Sequence, residues 1–326
     1  MNNLTPRLDR IDRNYFINGA MEYFQVAGAS VGVAVPSSYD YSTVDMFELE
    51  QTGTWTSPES VRSTTKVGSN SRRSLEFTGT PGAISDEFHM RTKIESIFAH
   101  ELISDKISLG LNIKSSNFTQ VLIRLSFANA EDNFSSTTSV IETTINFDAD
   151  SSEQNISWED LAPPVSMANG IMIEYEFKGL TDTSATTLNV GEFILNRGDK
   201  TNGYAPAAVN QVEELSLCQR YFEKTYDTDT PVGTITGNTG GVLIESQSSA
   251  LTSVRYNYNF AVNKRVLPTV EVYNPATGIS GTFDRFAGGG DFPPNSYVVG
   301  VSNFSGATFS TWTGSISGHF IFDARL

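Results

Sequence analysis

From Ile107 to Ile113 the chain reads Ile-Ser-Leu-Gly-Leu-Asn-Ile, with an apolar residue at every second position. A period of two places those four side chains on one face of an extended strand. The pattern returns in Ser-Leu-Glu-Phe-Thr (74–78), Val-Ile-Glu-Thr-Thr-Ile-Asn-Phe (140–147) and Ile-Met-Ile-Glu-Tyr-Glu-Phe (171–177). Val-Leu-Ile-Arg-Leu-Ser-Phe (121–127) is more continuously apolar, as a central, largely buried strand would be. Residues 15–17, 45–50, 187–190 and 191–195 add further strands, with a turn at Asn18-Gly19 and extended chain over 21–26. Residues 94–102 fit a helix or a strand equally. Short strands parted by Ser, Thr, Asn and Gly predict an antiparallel β-sandwich. The regularly interleaved helices of a parallel α/β sheet are missing.

After residue 198 the periodicity stops. Turn formers crowd residues 199–212, which read as a linker. One amphipathic helix is predicted over Glu213–Tyr226, with Leu215, Cys218 and Phe222 sharing an apolar face and Glu213, Glu214, Arg220, Glu223 and Lys224 occupying much of the rest. Strands then resume at 241–245, 254–260, 269–273, 297–301 and 315–322. The expected organisation is therefore an arm at 1–13, a β-sandwich at 14–198, a linker at 199–212, and a second β-sandwich at 213–326 led by a short helix. The fold class is all-β.

Composition narrows the function. Only 18% of the 326 residues are charged and the net charge is −15. Phosphate neutralisation needs clustered Lys and Arg, so no nucleic-acid partner is expected. No apolar run is long enough to predict a membrane span. The N-terminus lacks the apolar core of a signal peptide, so synthesis in a cytoplasm without export by that route is expected. A single cysteine allows neither an internal disulfide nor a multi-cysteine zinc site, and Cys218 reads as a buried structural thiol.

Few motifs carry chemistry. His89, His100 and His319 form no H-x-H or H-E-x-x-H arrangement, so spacing alone names no zinc site or catalytic triad. Asp148 and Asp150, with Glu22 near the first strand, are the calcium candidates. Neither this cluster nor Asp227-Thr-Asp229 has the ligand rhythm of an EF-hand loop, and Asp beside Ser and Thr commonly caps a turn. The Gly288–Gly290 stretch opens no helix and reads as a surface loop. No P-loop or dinucleotide fingerprint occurs. The RGD at 197–199 and the N-x-Ser/Thr sequons are chance matches in this composition. Trp55 and Trp312 sit in turn-like contexts and are the glycan-stacking candidates, whereas Phe127, Tyr175 and Phe177 are expected in the core.

Several segments resemble one class of protein. Arg-Asn-Tyr-Phe-Ile-Asn-Gly-Ala-Met-Glu-Tyr-Phe-Gln (13–25) resembles the N-x-L-x-N-G-x-F-E-x-W-Q-R opening of jelly-roll domains in bacteriophage tail and fibre proteins. Those domains look like carbohydrate-binding modules. Here Phe24 replaces the tryptophan, and no arginine follows Gln25. Residues 169–175 and 191–198 resemble the closing strands of that domain. Glu-Leu-Ser-Leu-Cys-Gln-Arg-Tyr-Phe-Glu-Lys (214–224) resembles its E-L-x-L-C-Q-R-Y-Y-E-K segment, and residues 320–326 resemble a D-A-E-L ending, with Arg325 in place of the acid.

The resemblance implies jelly-roll-like sandwiches in a non-enzymatic virion protein: a tail fibre, tail tip, or head fibre or decoration component. It implies a homotrimer, docking to other virion proteins through the N-terminal arm, and contact with host cell-surface glycan. The expected location is the virion, after synthesis in the host cytoplasm. The alternatives are a soluble pair of carbohydrate-binding modules from a polysaccharide-degrading system and, ranked last, a glycan depolymerase. No cofactor other than calcium is expected.

Overall fold

A computed structural model describes residues 13–28, 32–201, 210–237, 241–246, 253–285, 291–292, 296–309 and 314–326. Most of the predicted arm, most of the linker, the Gly288–Gly290 loop and Trp312 lie outside the described residues. Contacts divide the chain into two units, one of residues 1–23, 30–214 and 326, the other of residues 24–29 and 215–325. The sequence reading placed residues 24–29 with the first domain; contacts group them with the second.

Unit 1 contains, in order, β1 (Val33–Ala34), β2 (Phe47–Thr52), β3 (Thr56–Ser63), β4 (Ser74–Thr80), β5 (Glu87–Ile94), α1 (Ser96–Leu102), β6 (Ile107–Ser115), β7 (Gln120–Ala130), β8 (Asn133–Asn146), β9 (Glu153–Leu161), a 3-10 turn at Val165–Asn169, β10 (Ile171–Lys178) and β11 (Thr186–Arg197). They form a six-stranded sheet, β1-β3-β4-β11-β6-β9, and a five-stranded sheet, β2-β5-β10-β7-β8. All pairings are antiparallel.

Alternation decides which face of each strand meets the other sheet. In β10, Ile171, Ile173, Tyr175 and Phe177 are fully buried, while Glu174, Glu176 and Lys178 stay partly exposed. β5 does the same with Phe88 and Met90 against Glu87, His89 and Arg91. Aromatic contacts join the two layers. Phe77 of β4 stacks on Phe88 at 4.2 Å between centroids, and Phe193 of β11 lies 5.1 Å from both Phe47 and Tyr175. Such offset and edge-on pairs add about 0.5–1.5 kcal/mol each beyond their buried area.

In unit 2, helix α2 spans Gln211–Gln219, its first turn belonging to unit 1. Then follow β12 (Phe222–Lys224), β13 (Val242–Ser246), β14 (Ser253–Asn259), β15 (Thr269–Tyr273), β16 (Phe283–Arg285), β17 (Asp291–Phe292), β18 (Ser296–Val299), β19 (Asn303–Phe309) and β20 (Gly314–Asp323). The last strand is the organiser, since β12, β13, β15 and β16 all pair with β20. β14, β19 and β18 make a separate three-stranded sheet. Phe260, Val272, Phe283, Phe304, Ile316, Phe320 and Phe322 fill the core. Phe304 of β19 lies 5.1 Å from Phe320 and 5.5 Å from Phe322, which closes the two sheets into a sandwich. The all-β prediction therefore holds in both units.

Several sequence expectations change. The predicted helix over 213–226 ends at Gln219, and Phe222–Lys224 is a strand. Aromatic residues favour extended chain, and β20 offers a free ladder that a longer helix would leave unpaired. Leu215 is half-buried and Cys218 buried on the helix, but Phe222 is buried from β12. Glu214, Glu223 and Lys224, assigned to a polar face, are buried. The Tyr15–Ile17 run forms no strand, because a turn begins at Ile17 and Asn18 takes φ +59. Its amide nitrogen donates to the carbonyls of Tyr23 and Asp45, and its side-chain oxygen accepts from the backbone of Glu22 and Tyr23. The two predicted strands at 187–195 are one strand with a bulge between Gly191 and Ile194. The segment at 94–102 resolves into α1. Tyr175 and Phe177 are core residues, but Phe127 is half-buried, beyond the register shift after Leu125.

Candidate functional site

The outward face of the five-stranded sheet carries a cross-strand row of alternating charge. Register places Glu48 of β2 opposite Arg91 of β5, Arg91 opposite Glu174 of β10, Glu174 opposite Arg124 of β7, and Arg124 opposite Glu142 of β8. Directly opposed residues share one face with Cβ atoms about 4.5–5.5 Å apart, so each charge meets its opposite. Arg91 Nε donates to Glu48, and Lys93 Nζ lies 3.0 Å from the same carboxylate. Arg124 lies 3.0 Å from Glu142 and 3.7 Å from Glu174. Burial works against the charge on both arginines, but the glutamates around them outweigh it and hold the guanidiniums charged.

The loop before β2 lays an aromatic ring over this row. The Arg91 guanidinium sits 3.8 Å from the Tyr39 ring centroid, a cation–π contact. The Tyr39 hydroxyl is 3.5 Å from Glu174, a long contact, and the ring lies 6.3 Å from the His89 ring. Burial, then the charges of Glu174 and Glu50, push the Tyr39 hydroxyl above its ordinary range, so it stays a neutral donor.

A second row runs beside the first. Glu50 of β2 is opposite His89, and His89 is opposite Glu176. His89 Nε2 lies 3.0 Å from Glu87 Oε2, and Nδ1 lies 3.5 Å from Glu50 Oε2. Lys178 reaches Glu176 at 2.8 Å. Ligand atoms of Glu87, His89 and Glu176 all lie within 4.8 Å of one another, the one such group of metal-ligating side chains among the described residues.

The face thus offers a partly exposed aromatic ring, fixed donors and fixed acceptors, each held by neighbours. Such a surface sets an apolar plane beside hydrogen-bonding groups of both kinds.

The residues singled out in the sequence lie elsewhere. Trp55 is half-buried at the end of the core. Its indole N–H donates to the carbonyls of Thr52 (3.1 Å) and Glu87 (3.3 Å), and its ring stands edge-on to Phe77 at 5.1 Å. Trp312 lies outside the described residues. The calcium candidates are not brought together, and no group of three ligand side chains among the described residues includes any of them. Glu22 accepts from the backbone N–H of Arg72 at 3.1 Å. Asp150 accepts from Ser152 N at 2.8 Å, and the Ser152 hydroxyl and N–H hold its carboxyl below the ordinary range. Asp148 engages Gln154 through its backbone alone. Of the three, Asp150 alone caps its own turn with its carboxylate, as acidic residues beside Ser commonly do.

Glu-Phe-His-Met-Arg-Thr-Lys-Ile (87–94) held the missed signal. Ionisable Glu, His, Arg and Lys alternate strictly with Phe, Met, Thr and Ile. A strand whose outer face is wholly ionisable marks a sheet face built for polar contact. The partners that complete it, Tyr39 and Glu174 among them, are joined only by register.

By fold the chain is an all-β protein of antiparallel sandwiches. No protein-family model matches it, and no curated protein matches it. Among solved structures it is similar to a carbohydrate-binding module of the β-sandwich superfamily, described for promiscuous specificity, at 12% identity over 50% of this chain and 62% of that one, with a TM-score of 0.36. It is similar to the enzymatically active domain of tailspike protein 4 of bacteriophage CBA120 at 12% identity over 57% of this chain and 21% of that one, with a TM-score of 0.37. It is also similar to the family 11 carbohydrate-binding module of a cellulosomal cellulase of Clostridium thermocellum, at 11% identity over 52% of this chain and 96% of that one, with a TM-score of 0.32. The chain thus spans less than two thirds of the first two.

Proposed function

We propose that the protein is a non-enzymatic component of a bacteriophage particle that touches host-surface glycan through the outer face of the five-stranded sheet. The observation that carries the glycan reading is the Tyr39 ring laid across Arg91 with its hydroxyl toward Glu174. An aromatic plane beside fixed acceptors and donors suits a sugar ring, whose hydroxyls bridge a carboxylate and a guanidinium. Placement on a particle is supported by the segments at 13–25, 191–198, 214–224 and 320–326 that resemble phage fibre and tail proteins.

Binding at one such face is weak, because the glycan must displace water from groups already paired within the sheet. Several copies acting together raise avidity without new contacts, by factors on the order of 10²–10⁴. A trimeric assembly, held to the particle by the N-terminal arm, meets that need.

A glycan array probed with the oligomeric protein tests recognition. Binding is expected, with Tyr39→Ala and Glu174→Gln both losing it while keeping the wild-type melting temperature. Silence across the array, or full binding by Tyr39→Ala, would overturn the glycan reading. Mass spectrometry of purified particles tests placement independently: the protein is expected among the virion components, and its absence would refute that part. Sedimentation as a monomer at high concentration would refute the trimer.

A further inference from the structure

The row Glu50–His89–Glu176, with Glu87 beside it, has a chemistry that sugar binding does not use. Three carboxylates surround one imidazole, and Lys178, on Glu176, is the lysine paired within that group. The Arg124 guanidinium stands farther off, 4.0 Å from Glu176. Like charges on neighbouring positions of a sheet repel, so this corner gains from a further cation.

We infer that Glu87, His89 and Glu176 form a binding site for a divalent transition cation of zinc type, with Glu50 orienting the histidine. Three observations carry this. The first is donor chemistry: one imidazole nitrogen with two carboxylates suits zinc and its neighbours, whereas an all-oxygen set would suit calcium. The second is geometry. Tetrahedral zinc bonds of about 2.0–2.2 Å leave neighbouring ligand atoms roughly 3.3–3.6 Å apart. His89 Nε2 and Glu87 Oε2 are already 3.0 Å apart. The Glu176 carboxylate lies within 4.8 Å of both, on a partly exposed side chain that can close by rotation; Lys178 holds its Oε1, and Arg124 stands 4.0 Å from its Oε2. The third is orientation. Glu50 faces Nδ1 at 3.5 Å, so Nδ1 keeps its proton toward Glu50 while a metal would replace the proton that Nε2 now shares with Glu87. Carboxylate–histidine–metal relays have this form.

The ladder also fixes the ligands before any metal arrives. Glu176 and Glu50 are the direct cross-strand neighbours of His89, and Glu87 is two residues before it on the same face. Three protein ligands leave coordination positions open to oxygen donors of a bound molecule.

The test uses the full chain stripped of metal with a chelator and titrated with zinc chloride alone in a calorimeter. One zinc per chain is expected. His89→Ala should abolish binding, and Glu176→Gln should weaken it at least tenfold. Glu50→Gln should weaken it by about 10–100-fold at unchanged stoichiometry. His100→Ala, at an exposed position on α1, should bind as wild type. Circular dichroism and melting temperature establish that each variant is folded. No heat of zinc binding by the wild type, or unchanged binding by folded His89→Ala, would overturn the site and leave His89 as an imidazole between two carboxylates. Because the readout is the metal alone, it stands or falls apart from glycan recognition.

Discussion

In unit 2 the ammonium of Lys264 lies 2.5 Å from the carboxylate of Glu223, with 0% and 1% of the two side chains exposed. Glu223 also accepts from the Tyr258 hydroxyl at 2.9 Å and from Ala261 N at 3.1 Å. Lys264 donates as well to the carbonyl of Gln219 and lies 4.9 Å from the centre of the Phe260 ring. Burial pulls the Lys264 ammonium below the ordinary lysine range, and Glu223 opposes that pull. The pair fastens the end of α2 and the start of β12 to the chain after β14.

Removing one partner of such a pair leaves the other charge buried, which costs about 3–5 kcal/mol. Glu223→Ala should lower the stability of unit 2 by that amount in urea unfolding followed by tyrosine fluorescence. The double variant Glu223→Leu with Lys264→Met should recover most of the loss, because neither charge then remains. A cost below about 1 kcal/mol for Glu223→Ala would show that the pair is not buried as described.

Glu192 sits in the β11 bulge at φ +49 with its carboxylate buried. It accepts from the backbone N–H groups of Asn70 and Ser71 at 2.5 and 2.7 Å, and from the Asn112 amide at 2.8 Å. Glu192→Ala should cost at least ~2 kcal/mol and speed amide exchange at residues 70–71. Gly68 closes against the same carboxylate: at φ +94, an added Cβ would stand 2.0 Å from the Glu192 carboxyl carbon. Gly68→Ala should therefore destabilise unit 1 too. Unchanged exchange at 70–71 in Glu192→Ala would contradict the clamp.

Glu159 provides a pH test. The N–H and hydroxyl of Thr201 and the ammonium of Lys200 hold its carboxyl at about 2, down from an ordinary 4.5. A depressed folded value means the contribution to stability is complete above 4.5. It is lost as pH falls from there through about 2. Carboxyl-carbon NMR should show the Glu159 midpoint near 2, rising towards 4.5 in Thr201→Val. A wild-type midpoint near 4.5 would refute the arrangement.

Cys218 is 1% exposed on α2. Its thiol should resist an aromatic disulfide reagent in the native protein and react fully in denaturant. Reaction of the native protein within seconds would place the thiol at the surface instead.

The legible part of this chain is its periodicity. Ile171–Phe177 announced a half-buried strand, and the structure places its apolar residues inward and its glutamates outward. Leu215 and Cys218 marked a helix, whose end was misjudged because nothing local stops it. Phe222 leaves the helix to pair with β20, about a hundred residues away. The tryptophans drew attention as candidate ligand platforms, but Trp55 spends its N–H on carbonyls that only the folded turn presents to it.

By itself the sequence determined the fold class, one of its short helices and the inward face of most strands, because periodic patterning acts between neighbours in the chain. Tertiary structure decided the candidate site. Glu48, Arg91, Glu174, Arg124 and Glu142 come from five strands, and ladder register alone sets them in one row of alternating sign. A shift of one residue in any of those ladders would turn that strand's charges to the opposite face.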